Sequence, residues 1–354
     1  MKQKDKKRRV KHLERLKNID LPDLDVLDDQ REKAQYKTAR TSSKRHQTFK
    51  RGMKLKTGRV MEVLSNYQCR IKLGDEEIKA LIGGRIKQFL YNSTSLVTVG
   101  DYVEVDLATA PNYRIENVLP RNNSLSRYDS GNYQKEIVLA ANIDQLVITS
   151  SWRMPVFKPG LIDRYMILAA IHNIKPLIVI NKIDLCDDLA ELEESIAYYR
   201  KIGCDIILTS PLTGAGMEEL KHALKDKDSL FSGHSGTGKS TLINYLEPGL
   251  ELRTAEVSDH NEKGKHTTTQ AVMLPWSFGG HLIDTPGIKT ITLNREHIDS
   301  IPKLFPGFDL YHPHCRFRDC KHIEEQDCAV LQAVESGEID PQRYESYLWI
   351  MANI

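Results

Sequence analysis

Two groups of residues in this chain have the types and the spacing to do chemistry. The first is Gly233-His234-Ser235-Gly236-Thr237-Gly238-Lys239-Ser240, which satisfies G-x-x-x-x-G-K-[ST] between the apolar run "SLFSG" and the helix-like stretch "TLINYL". Glycines in such a loop let backbone N–H groups approach phosphate oxygens, and the helix N-terminus behind adds its positive dipole. Lys239 can then reach the β- and γ-phosphates, while Ser240, followed by Thr241, can hold Mg²⁺. The second group is Cys315-x4-Cys320-x-His322-x5-Cys328, three thiolates and one imidazole within 14 residues. That set matches a closed tetrahedral site for one structural zinc ion, with no open position for catalysis. His312 and His314 lie near enough to substitute for His322, so the sequence leaves the imidazole ligand open.

The phosphate loop has companions. Asn181-Lys182-Ile183-Asp184 ends the run "KPLIVINKID", and the Asp184 carboxylate can accept two hydrogen bonds from guanine N1–H and the exocyclic amine. Adenine offers no such pair of donors. Ser210, in "TSPLTGAG", suits a loop that closes over the base. Asp284, in "GHLIDTPG", supplies a carboxylate for Mg²⁺ through water, and Gly287 an amide for the γ-phosphate. In "KGKHTTT", Thr267, Thr268 and Thr269 can complete the Mg²⁺ shell, with Thr268 taken as the ligand. These are the parts of a GTPase. Ras-like enzymes orient the attacking water with a Gln after the DxxG glycine, but Ile288 stands there. His266, beside the threonines, is the candidate catalytic residue, because a neutral imidazole can accept a hydrogen bond from that water.

The elements that must position these residues fall into four segments. Residues 1–50 hold sixteen Lys/Arg against eight Asp/Glu, so a chain of net charge +2 concentrates its basic charge at one end. With few apolar residues to offset the entropy of ordering, residues 1–53 read as a flexible basic arm. Residues 54–120 show short alternating runs such as "TGRVMEVLSNYQCRIKL" and "LVTVGDYVEVDL", a small OB-type β-barrel suited to RNA. A linker, "RNNSLSRYDSGNYQKE", leads into residues 121–293, where strands and helices alternate as in a parallel α/β sheet covered on both faces. Residues 294–354 form an α-rich module holding the cysteines. The opening residues lack the apolar core of a secretory signal, and no apolar run approaches the ~20 residues of a membrane helix. The expectation is a cytoplasmic, monomeric, multidomain protein with no membrane contact.

The order of the motifs is unusual: base reading comes first, then the phosphate loop, then the switches. Joining old termini and cutting elsewhere preserves every strand neighbour, so this is a circularly permuted GTPase. The permuted set of NKID, GHSGTGKST, KHTTT and DTPG, after a small barrel and before CxxxxCxHxxxxxC, resembles the ribosome small subunit-dependent GTPase A family over about residues 54–350. That resemblance implies a cytoplasmic GTPase stimulated by the small ribosomal subunit and acting in its late maturation. It also implies rRNA contacts from barrel and zinc module, and it points to His266 as the catalytic histidine. The other reading is a nucleotide-gated RNA-binding scaffold with little hydrolysis.

Overall fold

A computed structural model describes residues 53–64, 67–87, 96–129, 132–250, 271–285, 293 and 295–354. The basic arm up to residue 52, His266, Thr267, Thr268, Thr269, Gly287 and Ile288 lie outside the described residues.

Strands β1 (Leu55–Val63), β2 (Gln68–Leu73), β3 (Glu76–Ile82), β4 (Tyr102–Asp106) and β5 (Arg114–Val118) make the barrel, with the short helix α1 (Gly84–Lys87) between β3 and β4. They pair in the order β1-β2-β3-β5-β4, and β4 returns to β1 with Leu55 opposite Asp106, which closes the barrel. Alternation puts Val60, Cys69, Ile71, Val103, Val105 and Ile115 inside, all fully buried. Burial pushes the Cys69 thiol up to about 12, so it is an inert core residue.

The segment read as a linker is a hairpin, β6 (Ser124–Asp129) against β7 (Asn132–Ala141). Its Ser, Asn and Gly content hides the strand pattern, and tertiary contacts supply the order. Thr98 Oγ1 donates to the Val138 and Leu139 carbonyls, and Arg121 makes a two-pronged ion pair with the buried Asp101 at 2.7 and 2.8 Å.

Beyond it lie β8 (Gln145–Ser151), α2 (Pro159–Ile171), β9 (Lys175–Asn181), α3 (Leu189–Lys201), β10 (Ile206–Thr209) and α4 (Met217–Leu224). Then follow β11 (Lys227–Ser232), α5 (Lys239–Leu246), β12 (Val272–Pro275) and β13 (Gly280–Asp284). The sheet order is β10-β9-β8-β11-β13-β12, all parallel except β12. Strand β8, "QLVITSS", is buried at every position, its polar residues included, as a sheet covered on both faces requires.

Two seams fasten the flanking parts to this sheet. At one edge β12 pairs with barrel strand β1, Glu62 opposite Val272, and Arg59 of β1 reaches Asp228 at 2.7 Å. The C-terminal module holds α6 (Ile301–Leu304), α7 (Ala329–Glu335) and α8 (Pro341–Ala352), and on a helical face α8 lies against α2. There Arg343 and Ser346 donate to Asp163 Oδ2 at 2.7 and 2.6 Å, and Tyr199 OH donates to its other oxygen at 2.7 Å. Tyr198 OH and Lys201 Nζ of α3 donate to the carbonyls of Pro306 and Glu338. Although the C-terminal module follows the DTPG strand in the chain, it is anchored on the half of the sheet that carries the NKID turn. No helix among the described residues is long and apolar enough to cross a membrane.

Candidate nucleotide site and metal centre

Parallel pairing brings the motifs together. Strands β9, β10, β11 and β13 run the same way and end at Asn181, Thr209, Ser232 and Asp284, so all four motif segments leave the same edge of the sheet. In an open parallel sheet, ligands bind in the crevice outside this edge.

The phosphate loop turns on glycines that no other residue could replace in place. Gly238 sits at φ +88°, where a Cβ would lie 2.3 Å from Asn181 Nδ2; at Gly233, φ +147°, one would lie 2.0 Å from the Thr149 carbonyl oxygen. Lys239 opens α5 and its ammonium donates to the carbonyls of Gly233 and His234 at 2.7 and 2.8 Å, inside the loop. Ser240 and Thr241 occupy the next two positions of α5, while Ser235 and His234 lie exposed on the loop.

The base-reading end is tied to that loop. Asn181 Nδ2 donates to the Thr237 carbonyl at 2.9 Å, and its Oδ1 accepts from Thr209 Oγ1 at 3.2 Å. Lys182, in the left-handed region at φ +61°, extends its ammonium to the Gly236 carbonyl at 2.7 Å and also to the carbonyl of Met154. Ser210 Oγ donates to Asp184 Oδ1 at 2.5 Å, fixing one carboxylate oxygen and leaving the other, among the described residues, free to accept. Ile183 lies between them at the start of a 3₁₀ turn. Residues 151–157 carry no recognisable motif, yet they sit in this site; the signal available in the sequence was only that their strand, β8, ends at the same edge.

Asp284 closes β13, and burial pushes its carboxyl above the ordinary range. A divalent cation would offset that cost. A hydroxyl from Ser240 and this carboxylate are the hard oxygen donors that Mg²⁺ takes.

In the C-terminal module the donor atoms of Cys315, Cys320, His322 and Cys328 all lie within 4.8 Å of one another. Tetrahedral zinc would hold sulfurs about 3.8 Å apart and sulfur–nitrogen pairs about 3.6 Å apart. The observed Cys315–Cys328 sulfur distance is 3.9 Å, and His322 Nδ1 lies 3.6 and 3.3 Å from the Cys315 and Cys328 sulfurs. The residues therefore fit a four-coordinate metal ion. His322 faces the thiols through Nδ1, while its Nε2 meets the Pro302 carbonyl at 3.1 Å and His312 Nδ1 at 3.0 Å. This resolves the choice among the histidines: His312 backs His322 from outside, and His314 stands apart from the cluster. Burial, with His312 beside it, pulls the His322 imidazole down to about 4, keeping it neutral as a ligand must be. Burial also pushes the thiols of Cys320 and Cys328 up, a cost that a bound cation would reverse.

Comparison with known proteins places this geometry. The family model described as RsgA GTPase matches residues 118–294. A protein of Chlorobaculum parvum named small ribosomal subunit biogenesis GTPase RsgA is 44% identical over 271 residues, covering 74% of this chain and 86% of its own length. A Thermotoga maritima protein of the same name is 36% identical over 288 residues, covering 81% of this chain and 93% of its own. The crystal structure of YjeQ from Thermotoga maritima superposes with a TM-score of 0.68 at 33% identity, over 84% of this chain and 98% of that one. YloQ, described as a circularly permuted GTPase, gives 0.65 at 26% identity, over 87% and 98%.

Proposed function

Because the chain belongs to the RsgA GTPase family, whose members are GTP hydrolases, we propose that it binds the small ribosomal subunit and hydrolyses GTP to GDP and phosphate during late maturation of that subunit. The observation that carries this reading is the meeting, at one sheet edge, of Asp184 held by Ser210 with a phosphate loop tied to Asn181 and Lys182. Asp184 then reads guanine through its free oxygen. Lys239 and the loop N–H groups from Gly233 to Thr241 hold the phosphates, and the Gly287 amide meets the γ-phosphate.

Ser240, Thr268 and Asp284 would hold Mg²⁺, which neutralises charge on the β- and γ-phosphate oxygens when bound. His266 accepts a hydrogen bond from the attacking water. Cys315, Cys320, His322 and Cys328 would hold a zinc ion that serves folding. The domain division is 1–53, 54–120, 121–293 and 294–354, with barrel and zinc module contacting rRNA and the basic arm neutralising phosphates. The protein acts as a monomer in the cytoplasm.

The test is GTP turnover by the purified chain with and without purified small subunits. Stimulation by the subunits, lost in His266→Ala with docking retained, is the expected result. Turnover that is negligible under both conditions would favour the nucleotide-gated scaffold. Stimulation that survives His266→Ala within about twofold, under ~0.5 kcal/mol of barrier, would move the catalytic role elsewhere.

A further inference from the structure

We propose that the loop between β8 and α2, residues 151–157, is a clamp that sets how long guanine nucleotide stays bound, with Ser151 as its positioning residue. The inference rests on the placement of the nucleotide at the sheet edge described above. In that site Lys182 extends from the base-reading turn to two carbonyl oxygens, one of Gly236 in the phosphate loop and one of Met154 in this loop. The ammonium therefore staples three segments together at the point where base and phosphate sites join.

The loop is built to present that carbonyl. Ser151, 1% exposed, turns its hydroxyl back to donate to the Pro155 carbonyl at 2.8 Å. Phe157 N–H donates to the Trp152 carbonyl at 3.1 Å, and the two rings pack with centroids 5.8 Å apart. Trp152 N–H donates to the Asn181 carbonyl at 3.0 Å, so the base of the loop hangs on the residue before Lys182. At its far side the loop reaches the phosphate loop again, where a Cβ on Gly236 would stand 3.5 Å from Pro155 Cδ. Outside, Arg153 pairs with Glu191 at the start of α3.

The loop thus touches both halves of the site, by the Met154 carbonyl on Lys182 and by Pro155 beside Gly236. Loosening it frees Lys182 and lets base turn and phosphate loop separate, which acts on dissociation more than on association. A residue that acts through Lys182 has no effect of its own once Lys182 is gone.

The experiment follows release of a fluorescent GDP analogue from the full-length chain after a chase with unlabelled GDP. Ser151→Ala is expected to speed release about five- to tenfold, the worth of one hydrogen bond, raising KM for GTP by more than it changes kcat. Leu310→Ala, an exposed side chain in the C-terminal module, is expected to release at the parent rate. Lys182→Met speeds release by itself, and adding Ser151→Ala to it is expected to produce no further change, whereas general loosening of the fold would add in full. If the alanine variant is isolated unfolded, Ser151→Cys, of similar size and a poor donor, takes its place in the cycle. Parent-like release in the Ser151 variant, or a fully additive double variant, overturns the clamp while leaving the nucleotide site standing. A parent chain that binds no guanine nucleotide overturns both.

Discussion

The Asp184 carboxylate has one oxygen engaged at 2.5 Å by Ser210 and, among the described residues, the other unclaimed, so under the proposed function guanine would meet an acceptor already held in place. Asp184→Asn replaces that acceptor with an amide that is free to present N–H. GTP affinity should then fall at least about tenfold, the worth of one charge-assisted hydrogen bond. Xanthosine nucleotides, with a carbonyl where guanine has its amine, should gain; competition binding of GTP, ATP and XTP checks both. In the metal centre each ligand likewise has one role. Cys320→Ala removes a buried donor from a site of the kind that contributes ~10 to 16 kcal/mol of apparent binding energy. The variant should lose its stoichiometric zinc and unfold the C-terminal module while GTP binding to the core persists. Metal analysis together with nucleotide titration distinguishes this from a general collapse. Such residues were legible in the sequence because thiols at short spacing have few structural uses, and because an NKxD tetrapeptide, common by itself in surface turns, gains meaning beside a phosphate loop. Ser151 and Met154 were not, since one acts through a backbone carbonyl and the other through a single hydroxyl in a loop of ordinary composition.

Elements of this chain divide into those whose pattern is internal and those ordered from outside. Helices such as "LAELEESIAYYRK", with Asp188 capping its first turn through the Ala190 N–H, and buried strands such as "KPLIVIN" declare themselves by apolar periodicity. Hairpin β6–β7 does not, because its order depends on Thr98 and, through the adjoining Arg121, on Asp101, partners 40 and 20 residues apart in sequence. The seat of α8 is similar: nothing in "PQRYESYLWIMANI" announces that Arg343 ends up 2.7 Å from Asp163, 180 residues earlier. Burial drives the Asp163 carboxyl up while Arg343, Ser346 and Tyr199 draw it down, and Arg343 is held charged by its partner. Arg343→Met leaves that carboxylate buried without its cation, a change expected to cost about 3–5 kcal/mol. Limited proteolysis should show the C-terminal module released first, before the sheet is cut. A variant as protease-resistant as the parent would mean the ion pair is incidental to the seat.

At the scale of the whole molecule, eleven strands among the described residues form one continuous hydrogen-bonded sheet running from β10 through the GTPase core into the barrel. Permutation accounts for the order of the motifs, and the topology Ras-like enzymes use survives it because every strand keeps its neighbours. What the permutation does not dictate is how the outermost strand of the core is finished. Strand β12 is the outermost strand of the GTPase core, and an open last strand would offer a row of unpaired N–H and C=O groups to any other chain. Here β1 lies against it, Glu62 opposite Val272, with Arg59 pinned to Asp228 and stacked on Tyr102 4.3 Å away. The barrel thus covers part of that edge, and the expected effect is protection against self-association. A chain beginning at residue 121 should keep its nucleotide site but expose β12, and it should sediment as dimers or larger species whose size grows with concentration. The chain from residue 54 onward should stay a single copy under the same conditions. In that light the barrel's place on the sheet answers a solubility problem that any isolated GTPase core with this strand outermost would meet.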